Sequence, residues 1–237
     1  MYNRCDNNFN RINSYEFIKF EVGGINVKTI LFQGDSITDS FRSREGDTYM
    51  GCGYPAIVAA DLSFKYPKEF TFINRGVSGD RCRGVLNRMR NDIYDVKPDV
   101  LSILVGINDV WKEFAEPGGV DGNIYLGIYD ILIKEIKSKF PDSKLMIIEP
   151  FTSPACMPDK EHWDLFKKGY DIVREKTKEI AKKHNAVFVP TMDEMTNLIN
   201  KYGSECYLLD GTHPTQAGHR LIANAWLKAF ESIKNTL

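Results

Sequence analysis

Thr29-Ile-Leu-Phe-Gln33 runs without a gap into Gly34-Asp35-Ser36-Ile-Thr38. The first half is short, β-branched or aromatic, and nearly continuous in hydrophobicity. Such runs mark strands buried on both faces. Four more follow: Phe70 to Asn74, Val100 to Val105, Leu145 to Glu149 and Ala186 to Val189. Residues at helical spacing fill the gaps. Ile57 and Leu62 mark one helix, and Val85, Met89, Ile93 and Val96 a second. Ile124, Ile128, Ile131, Leu132 and Ile136 mark a third, stopped by Pro141, and Leu165, Ile172, Val173 and Ile180 a fourth. A last helix is predicted from about Thr215 to Ile233, with Leu221, Ile222, Ala225, Trp226 and Ala229 on its inner face.

Strand–helix alternation predicts an α/β protein with a five-stranded parallel sheet between two helical layers. Right-handed crossovers leave few topologies, and a flavodoxin-like α/β/α sandwich is the expectation. Ligands in such folds bind beyond the carboxyl ends of the strands, so functional residues should lie just after strands. The 237 residues suit one such domain. A net charge of -1, from 31 basic and 32 acidic residues, gives no long-range field to gather nucleic acid or anionic membrane. Five widely spaced cysteines without a Cys-x-x-Cys pair suggest neither a zinc site nor a disulfide framework, and each reads as a free, buried thiol. No stretch is long enough to span a membrane, and the first residues lack an apolar signal core; cytoplasmic residence is expected. Residues 1–27 read as an Asn-rich extension, disordered or packed as an arm, before a domain over 28–237.

Ser36 stands where the chain leaves a strand. Gly34 permits a tight path there, and backbone N–H groups at a helix start lack partners. The serine therefore reads two ways: as a helix cap, or as an exposed nucleophile with oxyanion donors beside it. Asp210 and His213 lie three apart in Leu-Leu-Asp-Gly-Thr-His-Pro, before the last helix. A carboxylate that close holds an imidazole in one tautomer and stabilises its charged form; a turn-capping aspartate beside a surface histidine is the alternative. Of the other histidines, His184 reads as a solvated helix C-cap, and His162 and His219 as structural. Asn74-Arg-Gly-Val-Ser-Gly-Asp80 follows the second strand and Val105-Gly-Ile-Asn-Asp109 the third. The Gly79 N–H and the Asn108 amide are candidate oxyanion donors, each such donor typically worth about 2.7–4 kcal/mol in the transition state. Singly each is equally a turn residue. Together they are stronger, because a parallel sheet gathers these loops at one edge. The chain has no G-x-S-x-G elbow, G-x-G-x-x-G turn or P-loop lysine. Arg81, Arg83, Arg88 and Arg90 lie opposite Val85 and Met89, and read as a solvated helix face.

Gly34-Asp35-Ser36, Gly79 in its loop, Gly106-Ile-Asn108-Asp109 and Asp210-Gly-Thr-His213 resemble, in order, the four sequence blocks of the SGNH (GDSL) hydrolases, over about residues 29 to 230. The resemblance implies a three-layer α/β/α fold and ester hydrolysis with no metal and no cofactor. It makes Ser36 the nucleophile, His213 the base and Asp210 its orienting carboxylate. Ser36 N–H, Gly79 N–H and Asn108 would form the oxyanion hole. Gly-Ile-Asn-Asp-Val-Trp111 and Glu149-Pro-Phe151 resemble, more narrowly, bacterial acetylxylan-esterase-type members. That implies a small-molecule ester substrate, an acetylated sugar such as a xylo-oligosaccharide, and a homo-oligomer. Asp35, Trp111 and Phe151 are the expected substrate-binding residues, with Trp163, Phe41, Tyr49 and Tyr54 as further candidates to shape the cleft. The alternatives are a lysophospholipase- or thioesterase-like hydrolase with the same three residues, or a non-catalytic small-molecule binding protein on the same scaffold.

Overall fold

Five strands form: β1 (Lys28–Gly34), β2 (Phe70–Asn74), β3 (Val100–Leu104), β4 (Lys144–Ile148) and β5 (Val187–Val189). The structure is a computed structural model that describes residues 27–47 and 49–237. All but the last residue of the expected extension thus lies outside the described residues. The strands pair in parallel in the order β2-β1-β3-β4-β5. The chain moves from β1 to one side, then back across it, so the carboxyl end of β1 is the topological switch point.

Helices cover both faces. They are α1 (Ser36–Asp39), α2 (Tyr54–Lys65), α3 (Cys82–Met89), α4 (Ile107–Glu113), α5 (Gly122–Lys139), α6 (Lys160–Lys183), α7 (Met192–Tyr202) and α8 (Gln216–Phe230). Alternate strand residues feed two cores. Leu31, Ile73, Leu101, Ile103 and Ile147 point toward α3–α6. Ile30, Phe32, Val100, Leu104 and Met146 point toward α2, α7 and α8. Each fully buried side chain of this size contributes about 1.5–3 kcal/mol. This two-sided burial is why the strands read as continuous apolar runs rather than alternating ones.

The helical faces depart from expectation in detail. Ile124, Ile131, Leu165 and Ile172 are exposed. The inner stripe of α5 is Tyr125, Tyr129, Leu132, Ile133 and Ile136, and that of α6 is Phe166, Tyr170, Val173 and Ile180. Aromatic rings displace the aliphatic residues because they bury more area. The Tyr125 hydroxyl avoids a desolvation cost by bonding to Thr177 Oγ1 at 3.0 Å. The short α4 packs through Ile107 and Val110, and α7 through Met195 with Met192, Leu198 and Ile199 beside it; neither is among the predicted helices. The last helix ends at Phe230, short of Ile233. Among the described residues no helix is long and apolar enough to cross a membrane.

Candidate active site

The site begins where β1 must turn. A side chain on Gly34 would lie 2.2 Å from Leu104 O and 2.5 Å from Thr38 Oγ1, so only glycine lets β1 end this close to β3. Asp35 Oδ1 then accepts the Ile37 N–H at 3.0 Å and caps α1. Ser36 becomes the first helical residue, with its own N–H outside the helical bonding pattern.

A loop before α8 brings two partners to the serine. Ser36 Oγ lies 3.0 Å from His213 Nε2, and His213 Nδ1 lies 2.7 Å from Asp210 Oδ2. An ionised carboxylate only accepts, so Nδ1 carries the proton and Nε2 is left to accept the Ser36 O–H. Burial opposes the charge on Asp210. The His213 N–H and imidazole and the Thr212 N–H outweigh it and hold the carboxyl below its usual value. Gly211 O in turn accepts the Ser153 N–H at 2.8 Å and the Thr152 hydroxyl at 3.1 Å, which ties the histidine loop to the end of β4.

The loop after β2 is clamped to α1. Asn74 Nδ2 donates to Thr38 O and Met50 O, and Asn74 Oδ1 accepts the Gly76 N–H. Gly76 O accepts from Arg42 Nε at 2.7 Å and Arg44 Nη1 at 3.1 Å. The buried Asp39 carboxylate accepts the Ser78 N–H at 3.0 Å and pairs with Arg44. Gly79 follows at φ 80°, a conformation other residues rarely adopt, with open space where a side chain would stand. Asn108, in the first turn of α4, donates from Nδ2 to Asp80 O at 3.0 Å, so one of its two amide hydrogens is taken. Asp109 Oδ2 accepts the Cys82 N–H at 3.0 Å, and burial raises its pKa to about 6. The loops carrying Ser36, Gly79 and Asn108 thus leave three adjacent strands and cross-link to one another.

A cleft of about 670 Å³ opens beside Ser36 and His213, within the usual range for small-molecule sites. Phe41, Arg42, Arg44, Leu209, Gln216 and His219 border it. His219 Nδ1 accepts the Tyr54 N–H at 3.2 Å. Burial, with a contribution from His213, lowers its pKa to about 4, so this second histidine is neutral and pins α8 to α2.

Several expected residues stand elsewhere. Phe151 is fully buried in the core beneath α7 and α8, because the chain past β4 is still covered by helices. Asp35 is also buried and engaged in its cap. Trp111 packs on Phe166 with ring centroids 4.9 Å apart, and Trp163 stacks on the same ring. Tyr54 is core. Arg88 is no solvated side chain: it bonds Asp80, Asp92, Gln33 Oε1 and the Arg75 carbonyl, fixing the loop after β2. Nor is His184 solvated; its Nε2 meets Asp130 Oδ1 at 2.7 Å. The four described cysteines are unpaired, but only Cys82 is fully buried. Among the residues that hold the loops, the roles of Asp39 and Asn74 are absent from the sequence reading, and that of Arg88 is read there as solvent-facing. The one sequence signal for any of them is the Arg88–Asp92 spacing of four residues on a helix.

The family model for GDSL-like lipases and acylhydrolases matches residues 32–221. An acetylxylan esterase from Geobacillus stearothermophilus is 30% identical over 215 residues, covering 87% of this chain and 96% of that one. The structure of that organism's acetylxylan esterase Axe2 superposes with a TM-score of 0.74 at 30% identity, over 85% of this chain and 93% of that one. Two Axe2 variants, replacing a serine and an aspartate by alanine, are described as catalytic mutants. A provisionally named GDSL-like lipase from Parabacteroides merdae superposes with a TM-score of 0.79 at 31% identity, over 86% of this chain and 97% of that one.

Proposed function

The chain belongs to the GDSL-like lipase/acylhydrolase family, and from that membership we propose a serine esterase in which Ser36, His213 and Asp210 carry an acyl transfer. The observation that carries the reading is the unbroken hydrogen-bonded chain from Ser36 Oγ through the His213 ring to Asp210, opening on a cleft.

The chemistry runs in two halves. His213 Nε2 takes the Ser36 proton as Oγ attacks the ester carbonyl carbon, and Asp210 stabilises the imidazolium. The Ser36 N–H, the Gly79 N–H and the uncommitted Asn108 amide hydrogen receive the oxyanion. The C–O bond to the alcohol breaks, and the alcohol leaves with the proton from His213. Water then gives His213 a proton, attacks the acyl-enzyme and releases the acid, and the proton returns to Ser36.

The substrate we propose is an acetylated carbohydrate. Similarity to an acetylxylan esterase supports it, as does a cleft rim that carries Arg42, Arg44 and Gln216 rather than an apolar tunnel. Ser36→Ala should lose about 10⁴-fold or more in kcat on p-nitrophenyl acetate with an unchanged circular dichroism spectrum. Near-wild-type turnover would remove the serine from the mechanism. A p-nitrophenyl ester series separates substrates: acetate should exceed octanoate, and the opposite order would favour a lipolytic enzyme with the same serine.

A further inference from the structure

Just past α1 the backbone does something costly. Ser40 has φ 38° and Phe41 has φ 64°, two successive non-glycine residues in the left-handed region. A bulky side chain there is an outlier, and such strain gathers at ligand clamps and active sites. The strain cannot relax, because both flanks are pinned. The Ser40 N–H bonds Ser36 O at 3.0 Å, Ser40 O receives the Cys52 N–H at 2.8 Å, and the Arg42 N–H bonds Asp39 O at 2.9 Å. Nor does core packing repay it. The Phe41 side chain is 86% exposed, yet it borders the cleft that holds Ser36 and His213. Leu209, 74% exposed and one residue before Asp210, borders the same cleft. Arg42, Arg44 and Gln216, which carry hydrogen-bond donors, border the cleft as well. Among the described residues Arg42 pairs with no carboxylate, its Nε and Nη1 bonding only the Gly76 and Ser43 carbonyls. An aromatic face edged by donors matches a sugar ring, which offers an apolar C–H face and peripheral hydroxyls. A long acyl chain would need an enclosed apolar wall, whereas the residues that line this cleft include Arg42, Arg44 and Gln216.

We propose that Phe41 is a specificity-determining residue, the platform on which the sugar ring of the ester's alcohol side lies while its carbonyl reaches Ser36. This rests on the serine-esterase reading above. The test compares two esters, ethyl acetate without a ring and acetylated xylobiose, in the wild type, Phe41→Gly and Phe41→Trp. Glycine removes the ring and relieves the backbone, so its melting temperature should rise by about 2–4 °C. Its kcat/KM for acetylated xylobiose, relative to ethyl acetate, should fall about tenfold, carried by KM. Tryptophan should restore the ratio. An unchanged ratio in the glycine variant overturns the platform, as does a lower melting temperature with both activities falling together. Failure of the underlying reading is recognisable separately: neither ester would then be hydrolysed, and Ser36 would not react with a fluorophosphonate.

Discussion

Beside the proposed nucleophile sits a carboxyl group shut away from water. Asp35 Oδ1 holds the Ile37 N–H, while Oδ2 has no partner among the described residues. Burial raises its pKa to about 7; Asp109 and Asp80 add to the rise, and the Ile37 N–H and His213 oppose it. The unfolded value is about 3.9. The native state therefore holds this proton more tightly, and the resulting stability is full below about pH 4 and lost as pH rises through 7. Asp35→Asn keeps an oxygen for the cap and abolishes the titration. Stability measured by urea melts should then fall less steeply across pH 4 to 7 than in the wild type, by up to about 1.4 kcal/mol per pH unit. Parallel curves for the two proteins would mean that Asp35 is ionised throughout.

At the scale of elements, the site depends on loops held by side chains rather than by the sheet. Asp39, at the end of α1, grips the Ser78 N–H and so sets where Gly79 points. Asp39→Ala should lower kcat on an activated acetyl ester about 10²-fold with KM little changed, since a displacement of about 1 Å is enough for that loss. A proportional rise in KM would place Asp39 in binding instead. This division also explains what was legible beforehand. The strands and the three loops after β1, β2 and β3 could be read because burial on both faces leaves continuous apolar runs and because Gly34 and Gly79 mark tight turns. Asp39, Asn74 and Arg88 could not. Their partners lie 39, 36 and 55 residues away, and many are backbone groups, which leave no mark on side-chain spacing. Phe151 and Trp111 misled for a related reason: residue type says that an aromatic will be well packed, not whether a core or a ligand packs it.

Across the whole molecule, Trp226 joins the last helix to the strand that leads to Ser36. It is fully buried, stacks on Phe230 at 5.0 Å, and meets Phe32 of β1 at 5.5 Å. Its indole N–H donates to Ser102 Oγ in β3 at 2.9 Å. Trp226→Ala opens a cavity against β1 and leaves that hydroxyl without its partner, and should cost about 3–5 kcal/mol of global stability in a denaturant melt. A loss under about 1 kcal/mol would mean that α8 is not integral to the core. The dependence on the far end of the chain has a temporal side. Ser36 and His213 are separated by 177 residues. A ribosome builds the serine those 177 residues before its base, so a growing chain carries the hydroxyl long before anything can activate it. The proposed hydrolytic power is therefore acquired only after the chain through α8 has been made and has closed over β1 and β3.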